Sequence, residues 1–228
     1  MAGSPIQMSR GRPHVITVNS VNSSGISLIQ DRTAFATDHG LLTTDYTMTI
    51  LPIYTYDHPV LRKQLSQVGE ITDDIVRLTL DMFTTMKNAD GIGLAANQVG
   101  RDAAITVIDI SGVEGYEDTR PLTLINPVVD AFSEEEEPYE EGCLSLPDLR
   151  ADVIRPSEVQ VRYYDLNMTE HVLQAGGLLA RVMQHEIDHL NGIYFFDHLT
   201  PMRRTMLKRK LMDIKKGVVE TEYPLFEG

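Results

Sequence analysis

The chain of 228 residues contains a single cysteine, Cys143. No disulfide can form within it, and a reducing compartment is expected. No run approaches the roughly 18 consecutive apolar residues that a membrane-spanning helix needs, so no membrane partner is expected. Positive charge is scarce as well: 20 Lys and Arg stand against 33 Asp and Glu, a formal net charge of −13. That balance disfavours a general nucleic-acid binder, and DNA as a partner, while leaving room for a local basic patch. The start of the chain lacks the apolar block of roughly 7–15 residues that marks a secretory signal. Internal repeats are missing too. What is present is ordinary for a globular protein, 42% hydrophobic and 23% charged residues, enough to bury a core without a staple.

Residues 1–47 differ from the rest. They hold 12 Ser and Thr and no Lys or Glu, and their apolar residues are scattered. A poorly ordered N-terminal extension is expected, with Met48 as the functional start. An organellar transit peptide is the other reading, against which Asp31, Asp38 and Asp45 count. From Met48 to Gly228 the pattern is dense and reads as one catalytic domain. Ile71, Ile75, Leu78, Met82 and Met86 repeat at helical spacing, with Thr72 as a cap and Asp73 and Asp74 at the positive end of the dipole. Strands are expected at 104–110, 122–129 and 158–164. A second helix is expected from about Leu178 to Asn191, between Gly176-Gly177 and Gly192, and a third from Pro201 to about Lys216. Glu134–Glu137 reads as a solvated loop. Helix, strands and two further helices indicate an α+β fold, one domain with mixed or antiparallel sheets.

The sharpest motif is His185-Glu186-Ile187-Asp188-His189. On a helix, residues i and i+4 lie about 40° apart around the axis and one turn along it. Two imidazoles at that spacing can share one metal ion, while Glu186 reaches toward the same ion without binding it. A catalytic site has three protein ligands and one open position. The position of a third histidine three residues beyond Gly192 is filled by Phe195. The candidates left are Glu220 and Glu222, in a polar tail, and Cys143, in the turn-forming run Glu141-Gly142-Cys143-Leu144-Ser145. Cys143 is the better placed. Gly91-Ile92-Gly93-Leu94-Ala95-Ala96 matches a dinucleotide fingerprint, but a helix precedes it and a strand follows, the reverse of what that site requires. Its glycines are expected to allow another backbone to approach closely, and Gln98 ends the run with an amide donor.

Three segments in this order, GIGLAANQ at 91–98, EGCLS at 141–145 and QHEIDH at 184–189, resemble peptide deformylase of the bacterial type. The resemblance spans roughly residues 48–220. It implies sheets around a central metal-binding helix, with a C-terminal helix, and removal of formate from the formylmethionine of new polypeptides. It implies Cys143, His185 and His189 as metal ligands and Glu186 as the catalytic acid/base. Gln98 and the Leu144 N–H would stabilise the oxyanion as hydroxide on the metal attacks the formyl carbonyl. Ile92, Gly93, Gly142, Arg150 and Val182 fall where substrate is bound, with Leu94 nearby, and Asp188 and Arg155 where an ion pair supports the metal helix. Arg181 and Val182 stand where relatives carry aliphatic residues or Cys. One divalent ion per chain is implied, iron(II) as the family's usual metal, with zinc, nickel or cobalt able to fill the site.

Two rivals remain on sequence alone: an HExxH zinc endopeptidase using Glu220 or Glu222, and a structural metal domain, for which a fourth protein ligand is missing. Residues 202–217 carry seven basic residues against Asp213 alone. On a helix, Leu207, Leu211 and Ile214 would face the domain, with Arg204, Lys208 and Lys215 facing outward. Through the resemblance, this helix is expected to dock on ribosomal RNA, and the protein to work in the cytoplasm.

Overall fold

The computed structural model describes residues 35–37, 40–42 and 47–227. From Thr49 onward these residues belong to one compact unit; those before it belong to a second. In the second unit, β1 (Phe35–Thr37) and β2 (Gly40–Leu42) pair antiparallel. The rest of residues 1–47, and with it their reading as a poorly ordered extension, lies outside the described residues.

After a 3-10 turn at Pro59–Arg62, the first long element of the first unit is α1 (Asp73–Asn88), whose start is capped by the Thr72 hydroxyl accepting from the Ile75 N–H. Its apolar stripe buries Leu78, Met82 and Met86. Next come β3 (Gly93–Ala95), β4 (Ile105–Ile108) and β5 (Leu122–Phe132). A hairpin of β6 (Glu136–Cys143) and β7 (Leu146–Pro156) follows, then β8 (Glu158–Tyr164) and β9 (Glu170–Gly176). Five strands form one antiparallel sheet in the order β3-β4-β5-β8-β9, while β6 and β7 pair with each other. Two helices close the unit, α2 (Gly177–Leu190) and α3 (Pro201–Lys215).

The sheet is covered on both faces at β4. Ile105 and Val107 join the cluster under α1, whereas Ile108 joins Leu179, Val182 and Met183 of α2. A strand buried on both sides reads as a continuous apolar run. A third cluster joins Leu146, Leu149 and Val153 of β7 to Phe195, Phe196 and the Leu211 and Ile214 face of α3. The α+β class and its central HExxH helix are therefore realised with antiparallel sheets. No helix among the described residues is long and apolar enough to cross a membrane.

One local expectation is corrected. Glu136 and Glu137 are not loop but the first residues of β6, paired with Pro156 and Arg155. Glutamate is depleted in strands, but cross-strand partners override the preference when the side chains stay in water. Lys215 is exposed as expected, and its ammonium makes a surface ion pair with Asp57.

Candidate metal centre

Nearly all of α2 is buried, which marks a helix with structure packed around it on every side. Its faces differ in kind. Leu179, Val182, Met183 and Ile187 meet the five-stranded sheet. Arg181, His185 and Asp188, at i, i+4 and i+7, face the β6–β7 hairpin and bond to it. Glu186 meets β3, and the His189 carbonyl accepts from Asn97 in the turn after it. The helix stops sharply because Gly192 takes φ +71°, where a Cβ would come 2.5 Å from the Arg62 carbonyl oxygen.

Cys143, at the end of β6, is brought to the two histidines. Its Sγ lies 3.2 Å from His189 Nε2, which lies 3.2 Å from His185 Nε2. All three donor atoms fall within 4.8 Å of one another, the one such group among the described residues. Donors sharing one tetrahedral ion, with bonds of about 2.0–2.3 Å, stand about 3.3–3.6 Å apart; the two spacings to His189 match this within a few tenths of an ångström, and the sulfur and two imidazoles are the donor types such an ion takes. The two imidazoles sit in opposite electrostatic settings. Burial opposes charge on His185, but the Cys143 sulfur and Glu141 outweigh it and push its pKa up to about 10. Burial and the neighbouring His185 and Arg155 charges hold His189 well below its ordinary value.

Glu141 organises the region. Its Oε2 accepts from His185 Nδ1 at 2.8 Å, which leaves His185 Nε2 for the other two donors. Its Oε1 accepts from Arg155 Nε at 2.7 Å and Arg181 Nη1 at 3.0 Å. Burial alone would raise its pKa; the bonds from His185 and Arg155 hold it well below the carboxylate range. Arg155 also donates to Asp188 Oδ2 at 2.6 Å, the ion pair expected behind the metal helix.

Glu186 is 4% exposed, and its Oε2 has no partner among the described residues. Burial pushes its pKa up to about 7, helped by repulsion from Glu141 and opposed by His185. Gly93 makes this possible, since a Cβ there would lie 2.3 Å from Glu186 Oε1. The close approach expected at the glycines is thus made by side chains, not by a second backbone: Glu186 at Gly93 and Leu144 at Gly91.

Gln98 is equally enclosed. Its Oε1 accepts from the Ala95 N–H at 2.8 Å, which points Nε2 toward Ser145 Oγ (3.2 Å) and Cys143 Sγ (3.4 Å). Leu144 and Ser145 form the turn between β6 and β7. Five of the sequence-picked residues, Cys143, His185, His189, Glu186 and Gln98, are therefore gathered on one spot. Ile92 and Val182 share an apolar cluster. Gly142 and Arg150 face each other across the β6–β7 ladder, with the Arg150 side chain exposed. Arg181 turns away, onto Glu141 and the Val153 and Glu137 carbonyls. Glu220 and Glu222 are exposed and outside the donor group. Sequence reasoning missed Glu141 and Ser145. Both lie inside EGCLS, and the habit of ligating histidines to lean on a carboxylate was the signal available for the first.

The polypeptide deformylase family model matches residues 50–205. The peptide deformylase of Cytophaga hutchinsonii is 46% identical over 176 residues, covering 76% of this chain and 95% of its own. That of Chlorobium luteolum is 45% identical over 176 residues, with 77% and 92% covered. Among solved structures, the Legionella pneumophila peptide deformylase superposes with a TM-score of 0.67 at 36% identity, covering 75% of this chain and 98% of its own. The Ehrlichia chaffeensis enzyme in complex with actinonin gives 0.68 at 38% identity, covering 75% and 98%. With the sequence matched across most of its length and the same fold around its buried histidines, the chain belongs to the polypeptide deformylase family.

Proposed function

We propose that this site removes the formyl group from the N-formylmethionyl ends of newly made polypeptides, releasing formate. One observation carries the reading. A buried Glu186 carboxylate, its Oε2 without a partner among the described residues and its pKa pushed up to about 7, stands next to His185 in the group of three converging metal donors.

Cys143 Sγ, His185 Nε2 and His189 Nε2 would hold the divalent ion, which supplies Lewis acidity and a water nucleophile active near neutral pH. Iron(II) is the ion we assign; zinc, nickel and cobalt suit the same soft sulfur and two imidazoles. Glu186 takes the proton of the attacking water and passes it to the departing amine, a role for which a pKa near the working pH is best. Its burial against Gly93 keeps bulk water from competing for that proton. Gln98 Nε2 and the Leu144 N–H donate to the carbonyl oxygen as charge gathers there, and losing one such donor typically costs about 10²–10³ in rate. Ile92 and Val182 offer apolar surface suited to the methionine side chain. Gly93, Gly142 and Arg150 are assigned to contacts along the peptide.

The partner assigned to α3 is the ribosome. Arg204, Lys208 and Arg209 are exposed on it, while Leu211 and Ile214 anchor it to the body. On an acidic protein whose substrate is a nascent chain, a basic outward face counters repulsion from RNA. The place of action we assign is the cytoplasm.

Formate release from formyl-Met-Ala-Ser, beside cleavage of an unformylated peptide, decides the activity. Formate from the first with no cleavage of the second is the expected result. Endoproteolysis without formate release would instead indicate a peptidase.

A further inference from the structure

The C-terminal tail crosses back over the start of the compact unit. Ile53 donates its N–H to the Pro224 carbonyl and accepts from the Phe226 N–H, both at 2.9 Å. The Phe226 ring stacks on Tyr54 with centroids 4.0 Å apart. The segment so held is the one that touches the site. Tyr54 donates its N–H to the Gln98 carbonyl at 2.8 Å, and Tyr56 donates to the Ser145 carbonyl at 3.1 Å. From the tail itself, the Tyr223 hydroxyl donates to the Leu144 carbonyl at 2.9 Å.

The two successive carbonyls of the β6–β7 turn, those of Leu144 and Ser145, are thus each fixed by a donor from outside the hairpin. The Leu144 carbonyl belongs to the peptide plane after Leu144 and its N–H to the plane before, the two joined at the Leu144 Cα, so fixing the carbonyl limits how far the N–H can swing within this two-residue turn. We infer that Tyr223 is a positioning residue, whose hydroxyl holds the Leu144 turn so that the Leu144 N–H points at the reacting carbonyl oxygen. This rests on the assignment of that N–H and of Gln98 as oxyanion donors. The tail then serves the reaction from beyond residue 205, where the family match ends. Donors aimed in advance cost no reorganisation as the reaction proceeds, which is where their value lies.

Tyr223→Phe in the full-length, metal-loaded chain is the test, because it keeps the ring and removes only the hydroxyl. With formyl-Met-Ala-Ser as substrate, kcat is expected to fall about tenfold, less than the loss for deleting a donor outright, with KM within about twofold. Amide exchange in residues 142–146 is expected to quicken, with Tm nearly unchanged. Phe226→Leu, which loosens the tail without touching the hydroxyl, is expected to give a smaller loss of the same kind. Unchanged kcat, or faster exchange in the turn without loss of kcat, would overturn the positioning role while leaving the deformylase reading intact. A wild-type chain that releases no formate would overturn both.

Discussion

Glu141 and His185 are joined by a 2.8 Å hydrogen bond between carboxylate and Nδ1, and this bond decides which imidazole nitrogen faces the other two donors. Glu141→Gln keeps the shape of the side chain but no longer fixes that orientation. Metal affinity is expected to fall by about 10–100-fold, the usual cost of losing such a partner. Competition with a chelator measures it. Glu141→Ala should be worse, because Arg155 and Arg181 would be left as buried charges without their carboxylate.

Glu186→Gln retains size and polarity but cannot exchange a proton. Metal content should survive while kcat drops by at least about 10²-fold, the low end for general acid–base catalysis. A metal-loaded variant with near-normal turnover would count against the assignment.

Cys143→Ser exchanges a thiolate donor for a hydroxyl. Both stoichiometric metal and activity should be lost, as read by metal analysis of the purified protein. With iron bound, the wild type should lose activity in air as the thiolate oxidises, and the zinc form should last longer. Full metal and full rate in Cys143→Ser would move the third ligand elsewhere.

A chain beginning at Met48 should fold and release formate like the full chain, since the described part of the compact unit begins at Thr49 and holds every residue assigned to the site. Calorimetry and turnover compare the two; a Tm lowered by several degrees would show that the first 47 residues stabilise it.

Reversing Arg204, Lys208 and Arg209 to Glu should abolish binding to ribosomes and leave hydrolysis of free formyl-peptide unchanged. Binding by the unaltered chain should weaken with salt by roughly 0.7–0.9 log units per log unit for each phosphate contact. Lys215 is better left alone, because its pairing with Asp57 adds a structural contribution to any change there.

The helices were legible in the sequence because each carries both a period and a stop signal. Thr72, Gly176-Gly177, Gly192 and Pro201 bracket them within a residue or two of their observed ends. The strands with a clear apolar face, such as Val159, Val161 and Tyr163 of β8, were legible too. The β6–β7 hairpin was not. Most of β6 is exposed, so its run of glutamates shows no apolar alternation, and the Leu144-Ser145 turn that joins it to β7 carries no glycine or asparagine to signal a hairpin. At the site, the metal donors and Glu186 could be read from residue type and spacing. Glu141 had only the general habit of ligating histidines to lean on a carboxylate as its signal, and Ser145 and Tyr223 had none, since each matters through a partner that only the fold brings near.

The three donors come from two different layers, the histidines from α2 and the sulfur from the hairpin, with Cys143 and His189 46 residues apart in the chain. An ion bound to all three is therefore a cross-link as well as a reagent. By mass action, it stabilises the folded chain by RT ln(1 + [M]/Kd), about 2.7 kcal/mol at a hundred times Kd. Melting temperature should climb with the logarithm of free metal, so a thermal melt reports occupancy of the reaction centre without any substrate being added.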